Sequence, residues 1–561
     1  MAEVHDTFVP GTIHLVDVAW ELNPDHGRRQ ERDIVLHPKP SSHADDPLNW
    51  SYRRKLLSTL CMFVYAMTIC ISSAAIYSVL EPISEATNLS VDELNAGTGY
   101  MFLSFGWGCL VWQPLGLAYG KRLAYLLSVL CTVAVMIWAP FTTNKGQWIA
   151  SKTLQGFFGA PVEGLCEISM TDIWFTHERG KYLTIYVLAL YIANSIAPLI
   201  AAFIAAGQGW KWVLYWCAIY NAVSFLFLFF FMEETNWTRD QTSTEDVPIH
   251  NEKTVGDNFD APVSAATNVD KDIAGAGASH GDEVPKLFAS PSHGQGAMSY
   301  TKKSYWAKLR LFDRHTTKVV TTMSLFRQVT RPLLYMQLPV VVFCGTGVGC
   351  YQMWLSFLNG TESSIMSGSY GFSTLMLGVP FVSPIIFSFI GYLYVGVFGD
   401  RFIVRMARRN NGVFEPEHRL WLLLPLVVIA PGSQLLWGLG AYYKVHWIGP
   451  VIAMGFISFA TVVGAQVCYS YCIDSYRALS GEAIVTVVLL RNNMLFGINY
   501  GITPWITNMG LRNAYTLAAV VAFLQVLTFL LMTTYGKRLR ARSVKLFRKY
   551  CAQLEADGLL H

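Results

Sequence analysis

Charge is scarce in this chain. Only 14% of its 561 residues are Asp, Glu, Lys or Arg, while 53% are hydrophobic and 14% aromatic. Soluble globular chains carry charge on about a quarter of their residues. This chain therefore lacks the polar side chains to coat a water-facing surface, which excludes an ordinary soluble enzyme. Its 42 basic and 38 acidic residues leave a net charge of +4, which makes no case for nucleic-acid binding.

Other absences narrow the field. Each Gly-Lys pair, at Gly120, Gly180 and Gly536, is followed by Arg or Tyr, so no GxxxxGK[ST] phosphate loop occurs. GxSxG and HExxH are also missing. ATP-driven pumping, esterase chemistry and zinc protease chemistry thus lack local support, and no cofactor or metal is expected. The 11 cysteines show neither a disulfide framework nor zinc spacing, and nearly all fall inside apolar runs, as inert buried thiols would. Residues 1–50 are polar and hold no apolar core or small-residue cleavage site, so the first span is expected to act as its own insertion signal.

What the chain has is long apolar runs. A bilayer core about 30 Å thick needs about 20 apolar residues per helix. Spans are expected near 56–80, 96–115, 123–141, 148–172, 182–206, 210–232, 333–358, 370–398, 420–442, 447–472, 482–506 and 512–535. Hydrocarbon cannot satisfy exposed backbone amides, and these runs are too long for barrel strands, so each is expected to be a helix. Trp138, Trp148, Trp174, Trp210, Trp421, Trp447 and Trp505 stand at run ends, where an interfacial belt is expected. The fold class is an all-α polytopic membrane protein, with 12 transmembrane helices in two six-helix bundles around a central cavity.

The expected organisation is a tail over 1–55, a first bundle over 56–232, a linker over 233–332, a second bundle over 333–535 and a tail over 536–561. The linker is rich in Asp, Ser, Thr, Gly, Ala and Pro until about Ser299 and cannot bury enough apolar area to fold. Its last part, near 305–327, mixes apolar and basic residues as an amphipathic helix on a lipid surface would. Arg53, Arg54, Lys55, Lys121, Arg122, Arg179, Lys181, Arg401, Arg405, Arg408 and Arg409 fall in one set of connections. Both termini are accordingly expected in the cytoplasm. The sequons at Asn88 and Asn359 fall in connections expected to face outward, where glycosylation is possible. Two bundles joined by a long loop form the plan of rocker transporters, whose substrate site lies at the midplane between the halves.

In the fourth span, Lys152, Gly156, Gly159, Glu163 and Glu167 recur at helical offsets within an arc of about 80°. An ionised group at mid-bilayer normally faces the bundle interior, so Glu163 is the first candidate for a proton or cation site. A structural ion pair with Lys152 or a neighbouring helix would account for it as well. Lys152 stands nearer the outer end, either joined to proton coupling or reaching toward the surface. Glu167 and Asp172 approach the cytoplasmic end, Glu167 as a cavity residue and Asp172 in a structural role; solvated or helix-capping carboxylates are the plain alternative. In the second half, Arg491 lies too deep to be a loop charge and calls for an internal partner, with Glu482 nearer the end. A gate or ion pair suits Arg491 better than substrate contact.

Tyr65, Ser72, Tyr77, Gln155, Gln352, Trp354, Gln466 and Tyr469 are candidates for the cavity wall, with Asp474 at its edge. Aromatic and amide groups suit an amphipathic or cationic organic molecule through stacking and cation–π attraction. Ordinary helix packing uses the same residues. Ala197-Pro198 marks a possible bend in the fifth span.

Several motifs carry a resemblance: Asp46-Pro47-Leu48-Asn49-Trp50, Gln155-Gly156 with Ala160-Pro161-Val162-Glu163, His177-Glu178-Arg179-Gly180-Lys181, Gly209-Trp210-Lys211-Trp212, Pro416-Glu417-His418-Arg419-Leu420 and Gly481-Glu482-Ala483. From Asp46 to about Tyr535 the chain resembles the twelve-helix major facilitator superfamily, in particular its fungal drug:proton antiporter branch, which also contains polyamine and organic-cation carriers. The resemblance implies a structural or gating role for Gly120, Lys121, Arg122 and Arg179. Three departures stand out. Leu117 occupies the place of an acid before Gly120, Lys152 that of an arginine, and Ala197, Ala201 and Ala202 accompany Pro198 where the antiporter motif has glycines.

The resulting expectation is a monomeric carrier in the cell membrane that works by alternating access, with a proton gradient rather than ATP as its energy source. It would export a small organic solute such as a toxin, drug or secondary metabolite. Uptake of polyamines or other organic cations is the alternative, and a nontransporting receptor or scaffold is the alternative of another class.

Overall fold

The computed structural model describes residues 9–14, 45–87, 89–174, 176–237, 309 and 322–556. The first half contains α1 (Tyr52–Ala74), α2 (Leu80–Thr87), α3 (Val91–Tyr119), α4 (Lys121–Trp138), α5 (Lys145–Gly159), α6 (Pro161–Ile173), α7 (Thr176–Gln208) and α8 (Trp210–Phe231). The second half contains α9 (Thr322–Leu334), α10 (Pro339–Tyr370), α11 (Val382–Leu393), α12 (Asp400–Arg409), α13 (Leu426–Tyr442), α14 (Ile448–Ser475), α15 (Ser480–Arg542) and α16 (Val544–Ala556). Ile13–His14 pairs antiparallel with Val413–Phe414.

By length and composition, 10 helical runs among the described residues are able to cross a membrane. The last of them, Arg477–Arg542, counts twice. Gly510 breaks it with a positive φ of 76°. Asn499 before the break bonds Ser356 of α10, and Tyr515 after it bonds Thr361 of the same helix. The chain therefore doubles back at Gly510, a conformation that glycine adopts without strain. One further crossing, Lys145–Ile173, is divided into α5 and α6, each too short to be counted alone. Twelve crossings result.

Helix starts follow local chemistry. Ser90 and Glu93 cap α3 reciprocally, and the Asn144 side chain accepts from the Gln147 amide at the start of α5. Gly371 ends α10 in the left-handed conformation, with its own amide and that of Phe372 bonded to the last turn.

Small residues bring the helices together. A Cβ on Gly156 would run into the Met101 carbonyl of α3, and one on Gly108 would lie 2.7 Å from Ala160. Between the halves, a Cβ on Gly106 would lie 2.9 Å from Asn492, and one on Gly378 would lie 2.8 Å from the Leu199 carbonyl and 2.6 Å from Ala202. Lipid gives helices little hydrophobic reason to associate, so close backbone approach of this kind is what holds a bundle.

Several expectations are corrected. The fourth span is two helices, because Pro161 cannot supply the amide that would continue one. Asn359 is not in an outward connection. The run Asn359-Gly360-Thr361-Glu362-Ser363 stays inside α10, which continues to Tyr370, and Asn359 is buried where no glycosylating enzyme reaches. Trp148 and Trp174 are also buried rather than interfacial; their indoles donate to the Leu94 carbonyl and the Thr59 hydroxyl. Asn88 lies outside the described residues, as do 305–308 and 310–321 of the helix expected near 305–327; its last residues open α9.

The α3–α5 contact yields a test. Gly156→Val should lower stability by about 1–3 kcal/mol through overpacking, read from thermal unfolding in detergent. Gly207→Ala, where nothing lies within 4 Å, should leave the transition unchanged.

Candidate transport site

The break before α6 builds the site. Pro161 leaves the Phe157 carbonyl without its usual helical donor, and the Trp112 indole fills that role at 2.8 Å. The Tyr186 hydroxyl donates to the Val162 carbonyl. Pro161 opens α6 and Glu163 lies in its first turn, the position at which helices favour proline and acidic residues.

Glu163 forms an ion pair with Arg491 of the opposite half. Arg491 also donates to the Tyr469 hydroxyl at 3.2 Å and to the Asn492 side chain at 3.3 Å. Arg491 is only 7% exposed and Glu163 16%. A pair this deeply placed is lightly screened, and removing either member strands the other charge.

A cavity of about 90 Å³ surrounds the pair. Its first-half wall includes Ser73, Tyr77, Phe102, Phe105, Glu167 and Tyr191, and its second-half wall includes Gln352 and Tyr469. The Gln352 amide donates to the Tyr191 hydroxyl at 3.2 Å, a second link between the halves. Glu167 stands one turn beyond Glu163, and its Oε2 is buried with no hydrogen-bond partner among the described residues. The volume is several times the roughly 10–15 Å³ that one water requires. Two carboxylates thus face one guanidinium in a crevice with aromatic walls.

A family model described as Major Facilitator Superfamily matches residues 61–483. The chain belongs to this superfamily. An MFS-type transporter of Schizosaccharomyces pombe is 28% identical over 96% of this chain and 93% of its own length. Protein HOL1 of Saccharomyces cerevisiae is 26% identical, with 96% of both chains covered. The MFS antiporter QDR3 of Candida albicans is 23% identical over 90% of this chain and 80% of its own. The solved D-xylose-proton symporter aligns with a TM-score of 0.54 at 13% identity, covering 85% of this chain and 97% of that one. This chain is therefore a multi-pass membrane transporter of the superfamily, which is not an enzyme class, and such transporters bind small solutes within the membrane.

The structure divides the candidate residues. Tyr77, Glu163, Glu167, Gln352, Tyr469 and Arg491 meet at the cavity. Lys152 does not pair with Glu163. It is fully buried, donates to Gln155 at 2.9 Å and lies over the Trp148 ring. Gln155 donates onward to the Ser72 carbonyl, and the Ser72 hydroxyl accepts from Asn221. These residues form a polar chain inside the first half. Tyr65 bonds Ser128, Trp354 bonds Gln525, and Gln466 is half-buried without lining the cavity. Tyr191, Asn194, Val187 and Leu190, which the sequence reading missed, also line it. Their spacing on α7 places them on one helical face, the signal that could have found them.

At the basic ends of the helices, Gly120 takes a φ of 113° and opens α4. The acid missing at position 117 is supplied by Glu234, whose carboxylate accepts the Lys121 and Arg122 amides at 3.0 Å each. Burial raises the Glu234 carboxyl above its ordinary range, although backbone amides at Asn236, Arg122 and Lys121 oppose the shift. Lys121 pairs with Asp172, and Arg122 donates to the Phe229 carbonyl at 2.7 Å. In the second half Arg540 binds Glu417 and Glu415 at 2.6 and 2.9 Å, and Arg419 pairs with Asp474. Burial pushes the Glu415 carboxyl up, but bonds from Lys537 and Arg540 outweigh it and hold the group below its usual range. Glu482 accepts from Arg331 at 2.8 Å and from Tyr335 at 2.7 Å. The Pro198 carbonyl accepts from Ser78, joining α7 to the turn after α1. The side chain of Arg179 lies outside the described residues.

The Glu163–Arg491 pair predicts a non-additive mutant cycle. Glu163→Gln and Arg491→Gln alone should each destabilise the detergent-solubilised protein by about 3–5 kcal/mol, and the double variant should recover most of that loss. Denaturant unfolding of the three variants gives the comparison.

Proposed function

We propose that this chain is a proton-coupled secondary transporter that exports a small organic solute by alternating access, with Glu163 as the coupling group. The observation that carries this reading is the Glu163–Arg491 pair, which joins the two halves inside the cavity. Arg491, a proton or a cationic solute can each neutralise Glu163. Protonation releases Arg491 and removes one link between the halves; loss of that proton restores the attraction. A solute competing for the same carboxylate would exchange with protons, the logic of antiport. One relative, QDR3, is named an antiporter. The excess of carboxylate over guanidinium and the walls of Phe102, Phe105, Tyr191 and Tyr469 favour an organic cation.

Glu167 supports a second reading. Its buried, unpartnered Oε2 offers a further negative site, so proton and cation can occupy the cavity together, as uptake by symport requires. In both readings the proton gradient is the energy source and no cofactor takes part. The basic connections at Arg53, Arg54 and Lys55 and at Arg401 to Arg409 support a reading in which both termini face the cytoplasm, and we take the carrier to act as a monomer in the cell membrane.

Proteoliposomes under an imposed pH gradient, supplied with spermidine and a panel of other organic solutes, provide the test. Movement of solute toward the acidic side supports exchange, and movement along with protons supports symport. Glu163→Gln should abolish gradient-driven accumulation while solute-for-solute exchange persists. Accumulation at the wild-type level in that variant would remove Glu163 from coupling. Absence of flux for every solute would favour a receptor or scaffold.

A further inference from the structure

Glu362 is absent from every role assigned above. It lies in α10, is 0% exposed, and neither of its carboxyl oxygens has a hydrogen-bond partner among the described residues. Among the described residues, no charged side chain pairs with it. Glu163 and Arg491 are paired in the cavity instead, which Glu167 also lines. Glu362 is ten residues beyond the cavity residue Gln352, about 15 Å along a helix at 1.5 Å per residue. Its chain neighbours Asn359, Thr361 and Ser363 are buried too, and the Ser363 hydroxyl likewise has no partner among the described residues. Thr361 is engaged with Tyr515.

An isolated carboxylate in such surroundings has neither solvent nor counter-ion to stabilise it. The neutral acid is the form compatible with this packing. A residue kept only to fill space would be better served by an apolar side chain of similar volume, since the unpartnered oxygens weaken the fold. The position gains a purpose if the carboxyl meets water in another state of the carrier.

We propose that Glu362 is a second proton-binding residue, separate from the cavity, that holds a proton in the state described here and gives it up when the end of α10 near Tyr370 becomes hydrated. Its role in transport rests on the proton-coupled reading above; its protonation does not.

Infrared titration of the full chain in lipid nanodiscs tests the proposal, with proton release followed in weakly buffered solution. At neutral pH the wild type should show a carbonyl band of a protonated carboxylic acid that shifts in deuterated water and is missing from Glu362→Gln. That band should fade as the solution is made alkaline, and Glu362→Gln should release one proton fewer per molecule over the same titration. No band difference, or a band that persists until the protein unfolds, would overturn the assignment. Glu163→Gln measured in parallel separates the two readings. The Glu362 band survives there if this inference holds, whereas wild-type pH-driven flux in Glu163→Gln defeats only the coupling proposal. Glu362→Met, which keeps volume without mimicking the acid, should also lack the band while remaining folded.

Discussion

A guanidinium inside a membrane protein needs an anion, and the placement of Arg491 sets terms for much of this molecule. Its partner Glu163 comes from the other half of the chain, so the pair is both a charge neutraliser and a cross-link. The carboxylate reaches that point because the fourth crossing is interrupted at Pro161. The interruption is tolerable because Trp112 satisfies the freed Phe157 carbonyl. On the other side, a Cβ on Gly349 would lie 3.3 Å from the Arg491 Cα, so glycine permits the seventh crossing to pass close to the arginine backbone. Proline, tryptophan and glycine thus serve one electrostatic contact from three helices.

The two ends of the crossings use charge differently from the cavity. In the first half, an acid gathers backbone amides at Lys121 and Arg122 while Lys121 binds Asp172. In the second, Arg540 gathers Glu415 and Glu417. The polarity is reversed, yet each cluster ties helix ends within its own half. The Glu163–Arg491 and Gln352–Tyr191 links bridge the halves, so relative motion of the halves must break those contacts while the clusters at the ends hold each bundle together.

Much of the fold was legible because hydrocarbon imposes a length and a composition on every crossing. The deep position of Arg491 already demanded a partner. Its identity was hidden, because pairing between distant helices leaves no periodic trace, and the same-face spacing of Lys152 and Glu163 suggested a different mate. Asn359 was misread because a short polar run looks like a connection, although here protein rather than lipid surrounds it. The missing acid at Leu117 was a real departure within the loop motif, but nothing in that motif indicated that a residue beyond the sixth crossing would replace it.

That replacement has a consequence for biosynthesis. The turn at Gly120 lies between the second and third crossings, but its anion is Glu234, which follows the sixth. A ribosome therefore delivers the turn long before the group that completes it. The amides at Lys121 and Arg122 wait through the synthesis of four more membrane segments, and the first bundle acquires its finished form only after the last of these has emerged.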